Sequence, residues 1–156
     1  MNNRTIRMLL QGVFLIVCSI MLGGCGLFNS DDRDELEEQL AKWRSYNLQN
    51  YSFEFRADCF CIPEFNEWVT VTVRSDTIAG VTLLSTEQPP VELTFSSWFT
   101  IDELFDKIFD VVGEAEEFEV AYNKRYGYPE LISADIDKQI ADEEFTYNSM
   151  NLIIEE

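Results

Sequence analysis

The chain contains no histidine. That removes the side chain whose ordinary pKa sits nearest neutrality, and with it the usual general base and the commonest metal ligand. Ser-His-Asp and Cys-His nucleophile systems are excluded on the same ground. Basic residues are also scarce: 11 Lys and Arg stand against 29 Asp and Glu, for a formal net charge of −18. Such a charge repels phosphate backbones, so no nucleic-acid partner is expected. It equally opposes direct docking onto anionic lipid head groups. Long apolar runs are missing as well. Met8 to Leu22 is the one extended run, and its 15 residues would span only about 22 Å as a helix. A bilayer core needs about 30 Å. The run is the wrong length for a spanning helix and the right length for the apolar region of a secretory signal.

What surrounds that run fits the same reading. Arg4 and Arg7 supply a basic start, and Leu22-Gly23-Gly24-Cys25 follows. Small residues before a cleavage point admit a signal peptidase, and a Cys directly after them resembles the lipobox of bacterial lipoproteins. Residues 1–24 are therefore expected to be a lipoprotein signal peptide, with Cys25 the lipidated first residue of the mature chain. Diacylglycerol on the thiol, with a further chain such as palmitate on the amino group, would anchor stably where a single chain would not. Cys18 lies within the leader and would be discarded with it. Residues 25–31 read as a lipidated tether and 32–156 as a single domain. The expected setting is the extracytoplasmic side of a cell envelope. In a Gram-negative host, Gly26 in place of Asp resembles lipoproteins sorted to the outer membrane, facing the periplasm.

The tether leads into a helix from Asp32 to about Tyr46. Leu36, Leu40 and Trp43 make its apolar stripe, and Asp32 with Glu35 mimics a capping box. Tyr51–Asp58, Trp68–Arg74 and Ile78–Leu84 alternate as strands. Thr100 with Glu103 is a second capping box. The helix it opens carries Ile101, Leu104, Phe105, Ile108, Phe109 and Val112 on one face, the strongest periodicity in the chain. Gly113 stops that helix. Strands follow at about Glu117–Lys124, Glu130–Asp137 and Phe145–Ile154. The order is helix, three strands, helix, three strands. It predicts an α+β fold in which two helix-plus-three-strand units form an antiparallel sheet with the helices packed on one face.

Three local features bear on chemistry. Cys59-Phe60-Cys61 places two thiols about 6.6 Å apart on one face of an extended strand, within reach of a disulfide if the chain kinks. An oxidising compartment favours that bridge between Cys59 and Cys61. The alternative is a redox-active or metal-binding pair, although the spacing is not C-x-x-C. Tyr126-Gly127-Tyr128-Pro129 reads as a turn; the alternative makes Tyr126 and Tyr128 an exposed interaction surface. Asp135, Asp137, Asp142, Glu143 and Glu144 gather around one loop. They read as solvated surface, the calcium-site alternative lacking the EF-hand spacing. No catalytic residue, metal site or cofactor is expected.

Several of these motifs recur together elsewhere. Tyr51-Ser52-Phe53, Cys59-Phe60-Cys61, Val69-x-Val71-x-Val73, Thr100-Ile101-Asp102-x-Leu104-Phe105, Tyr126-Gly127-Tyr128-Pro129 and Asp135 resemble the bacterial lipoprotein family known as domain of unknown function 6174. The likeness runs from about Trp43 to Ile154. It implies an envelope lipoprotein and assigns no activity. Asn123 stands before Lys124-Arg125-Tyr126 where similar sequences carry Asp. The functional expectation is a membrane-anchored, non-catalytic binding domain with an envelope protein as partner. The alternative is an extracytoplasmic metal-binding or thiol-redox protein using Cys59 and Cys61.

Overall fold

The structure, a computed structural model, describes residues 30–155. Helix α1 spans Ser30–Ser45 and helix α2 spans Ile101–Val111. The strands are β1 (Tyr51–Cys59), β2 (Val69–Arg74), β3 (Thr77–Leu83), β4 (Glu117–Tyr122), β5 (Pro129–Asp135) and β6 (Phe145–Ile154). They form one six-stranded sheet in the order β3-β2-β1-β6-β5-β4. Every pairing is antiparallel. The protein is thus α+β, with two three-strand meanders, each preceded by a helix and joined along β1 and β6.

Alternation along each strand sorts the side chains into two faces. On β1, Tyr51, Phe53, Phe55 and Ala57 are buried, while Glu54, Arg56 and Asp58 are not. Register extends the buried row across the sheet, for Phe53 stands opposite Val71 and Phe55 opposite Val69, and Ala57 opposite Tyr147. Phe53, Phe55, Ala57, Val69 and Val71, with Leu36, Leu40 and Trp43 of α1 and Ile101, Leu104, Phe105 and Ile108 of α2, form one buried cluster, against which the partly buried Tyr147 packs. Each large side chain so placed contributes about 1.5–3 kcal/mol. Polar bonds fix the helices within it. Trp43 Nε1 donates to Asp102 Oδ2 at 3.1 Å, linking α1 to α2. The Ile101 amide donates to the Tyr51 hydroxyl at 3.1 Å. Burial pushes that phenol's pKa upward, so it stays a neutral partner for the helix start.

The start of α2 matches the sequence reading. Glu103 N donates to Thr100 Oγ1 at 3.2 Å, and Thr100 N to Glu103 Oε2 at 2.7 Å. Thr100→Ala removes one half of this reciprocal cap and should lower stability by about 1 kcal/mol, read from a shift in the urea unfolding midpoint. The start of α1 differs from expectation. The helix begins at Ser30, so the last two residues assigned to the tether are helical. Asp32 and Glu35 then lie inside the first turns rather than forming a cap. Their charges still favour the positive end of the helix dipole, which is why the sequence pattern imitates a cap.

Candidate functional site

Cys59 ends β1, and the chain turns back at once. Cys61 N donates to Cys59 O at 2.9 Å, the two Cα atoms stand 5.3 Å apart and the sulfurs 2.08 Å apart, bonding distance for a disulfide. Asn66 secures the base of this loop by donating from Nδ2 to Cys59 O at 3.3 Å. Phe65, in the short 3-10 turn Pro63–Asn66, anchors it to the interior with its ring 5.0 Å from Trp98. Phe60, between the cysteines, is 80% exposed.

A second segment is bound to this loop through Glu64. Its carboxylate accepts hydrogen bonds from the amides of Val91 at 2.7 Å, Glu92 at 2.9 Å and Leu93 at 3.0 Å. The Val91 amide, then those of Glu92 and Leu93, hold the carboxyl below its usual pKa. A lowered folded value means the contribution is complete above the ordinary glutamate pKa and is lost as pH falls through the lowered one. Amide protection factors at Val91–Leu93 should therefore hold at neutral pH and be lost in acid, below the ordinary glutamate range. Glu64→Gln should reduce them at neutral pH as well. Protection that does not change with acid would show that the carboxylate does not hold the segment.

The tyrosines at the β4–β5 turn do not form an exposed surface. Tyr128 is only 2% exposed, its ring edge-on to Trp43 at 6.3 Å, and burial raises its pKa. Tyr126 is half-buried and packs against Tyr46 at 5.0 Å. The alternative of a contact surface at Tyr126 and Tyr128 is corrected accordingly, while the segment does form the expected turn. The turn fails to project because it folds against α1: Lys42 Nζ donates to Lys124 O at 2.7 Å, and Tyr46 OH to Arg125 O at 2.8 Å. Asn123 shapes the turn by accepting from the Arg125 and Tyr126 amides at 3.0 and 2.9 Å. Its Nδ2 donates to Glu130 Oε1 at 2.7 Å. An Asp at this position would set two carboxylates against each other, so Asn suits this chain.

Among the described residues no group of three or more Cys, Asp or Glu side chains is placed to hold a metal ion. The acidic loop instead borders a hollow of about 630 Å³, lined by Asp58, Glu117, Glu119, Asp135 and Glu144 around Ser133 and Thr146. Lys138 Nζ meets Glu117 Oε1 at 2.5 Å, and this bond raises the pKa of the ammonium group. A second hollow, of about 610 Å³, is lined by Glu54, Arg56, Trp68, Leu84 and Met150. Both lie on the sheet face that carries Glu54, Arg56 and Asp58, and no residue of either described helix lines them. Arg56 and Asp58 join the two, Nη2 to Oδ2, at 2.6 Å. The Arg56 guanidinium lies 5.3 Å from the centre of the Trp68 ring.

None of the Trp68, Leu84 and Met150 group was singled out from the sequence. Trp68 did open a predicted strand, but its neighbour Met150 comes from β6, and only the β1–β6 register, with Glu54 opposite Met150, unites them. Cys25 and the leader lie outside the described residues, and among those described no helix is long and apolar enough to cross a membrane. No curated protein and no solved structure matches the chain. Residues 35–154 match the family of unknown function DUF6174, and by that match, which spans most of α1, all of α2 and the whole sheet, the chain belongs to DUF6174.

Proposed function

We propose that this protein is a lipid-anchored, non-catalytic interaction domain of a bacterial cell envelope. The anchor rests on sequence: a basic start, a short apolar run and Leu22-Gly23-Gly24-Cys25. The binding role is carried by one observation, the sheet face on which Trp68, Leu84 and Met150 line a hollow that neither described helix covers. Trp, Met and Arg are the side chains that interfaces favour over ordinary surface. The missing histidine removes the usual general base, which weighs toward binding rather than turnover.

Mass spectrometry of the native protein tests the anchor. The expected amino terminus is Cys25 bearing acyl chains, with palmitate label incorporated. Cys25→Ala should take up no label. A Cys25→Ala chain that keeps the same processed terminus and still sediments with membranes would end the proposal.

The alternative is a thiol-redox or metal-binding role for Cys59 and Cys61, favoured by the exposure of Cys61. Thiol titration separates the two readings. The binding-domain reading expects no reactive thiol before reduction and no bound metal. Free, titratable cysteines in the native protein, or a stoichiometric metal, would shift the assignment to the alternative.

A further inference from the structure

The open sheet face has a chemistry of its own. At one end, Trp68, Leu84 and Met150 line a hollow with Arg56 laid over the Trp68 ring. Leu84 and Met150 are exposed, while Trp68 is partly buried with an uncovered side. Arg56 Nε is buried and has no hydrogen-bond partner among the described residues. At the other end, Asp58, Glu117, Glu119, Asp135 and Glu144 line the acidic hollow. The Arg56–Asp58 pair is the border between the two, so a single occupant can touch both.

We propose that this face docks a basic protein segment that carries an apolar side chain. The apolar group would fill the Trp68–Met150 hollow, and Lys or Arg side chains would lie over the acidic hollow. The proposal rests on the reading of the protein as an interaction domain and adds the chemistry of the partner. Charge decides between occupants. A second copy of this chain would bring −18 against −18, and anionic lipid would meet the same carboxylates, so both are opposed by repulsion. A cationic partner is attracted, with faster association at low ionic strength. Trp and Arg anchors are where binding energy concentrates, and Met is enriched at interfaces beside them.

The test uses the processed lipoprotein in phosphatidylcholine nanodiscs, with empty discs as reference. Three synthetic decapeptides serve as probes: alternating Lys and Leu, Lys alone, and alternating Glu and Leu. The Lys–Leu peptide should bind best, the Lys peptide more weakly, and the Glu–Leu peptide not at all. Raising NaCl from about 0.05 to about 0.3 M should weaken Lys–Leu binding markedly. Met150→Ser with Leu84→Ser, and separately Glu119→Gln with Asp135→Asn, should each weaken it about tenfold, with thermal unfolding unchanged. Trp68→Ser should do the same where its melting curve shows an intact fold. Unchanged affinity in both double variants overturns the proposal, as does binding of no peptide. Preferred binding of the Glu–Leu peptide on this face overturns the basic partner while leaving an interaction domain standing. Self-association in sedimentation, or capture by phosphatidylglycerol vesicles that the same variants abolish, overturns it in favour of those occupants.

Discussion

Phe55→Ala should cost about 3–5 kcal/mol of stability. Phe55 is fully buried in the middle of β1, opposite Val69 on one side and Ser149 on the other. Its ring lies 5.6 Å from Tyr147, 5.9 Å from Phe99, 6.0 Å from Phe65 and 6.2 Å from Trp98. Those four come from β6, from the segment leading into α2, and from the 3-10 turn Pro63–Asn66 that follows Cys61. Truncation would therefore open a cavity where three separate segments meet, and rigid rings on all sides cannot collapse into it. Domains of this size are stable by about 5–15 kcal/mol, so the loss would consume a large share. A fall in melting temperature of roughly 10–20 °C is expected. Phe60→Ala offers the comparison, because Phe60 is the most exposed phenylalanine among the described residues and sits five residues away. Its truncation should fall within about 0.5 kcal/mol of no effect. Similar losses at the two positions would contradict the placement of Phe55 at the centre of the core.

The contrast between Phe55 and Phe60 was legible in the sequence only in part. Alternation put Tyr51, Phe53 and Phe55 on one face, and the structure buries all three. The stripe on α2 was equally direct, because its cap and its spacing are local and agree. Failures cluster where the deciding contact is distant in sequence. Tyr128 sits beside Gly and Pro and reads as turn. It is nonetheless buried, because α1, about 85 residues earlier in the chain, offers Trp43 to its ring. Glu64 looked like one acid among 29. Its three amide partners lie 27 to 29 residues away, on a segment marked only by its prolines. The hollow between Trp68 and Met150 depends on β1 pairing with β6. That pairing joins the two ends of the domain, and the sheet then sorts side chains by a register that no local window contains. A shift of one residue would turn Met150 to the buried face and dissolve the hollow.

Gly127→Ala is expected to destabilise the protein by about 2–4 kcal/mol, the sum of a backbone and a steric contribution. Gly127 has φ of +83°, in the left-handed region, where an L-residue costs about 1–2 kcal/mol. The position is crowded besides. A Cβ there would stand 2.8 Å from the backbone oxygen of Gln39 and 3.2 Å from Lys42 Cδ. The lysine can move aside, but the Gln39 oxygen belongs to the backbone of α1 and moves only with the helix. Displacing it would strain the bonds from Lys42 to Lys124 O and from Tyr46 to Arg125 O, and part the Tyr46 and Tyr126 rings. Gly127→Asn separates the two contributions. Asn tolerates the left-handed region but brings the same Cβ, so it should recover the backbone part alone. Gly80→Ala is the control within the same fold, since the new Cβ would meet Thr72 Cβ at 3.8 Å, ordinary contact. A strand interior also prefers Ala to Gly by about 0.5–1 kcal/mol, so that variant should be neutral or slightly more stable. Urea unfolding of the three variants gives the ranking, and hydrogen exchange in α1 shows where the loss falls. Equal stability of Gly127→Ala and Gly80→Ala would mean that the β4–β5 turn does not press on α1 as described. Rescue of Gly127→Ala by Lys42→Ala would locate the clash in a movable side chain rather than in the helix backbone.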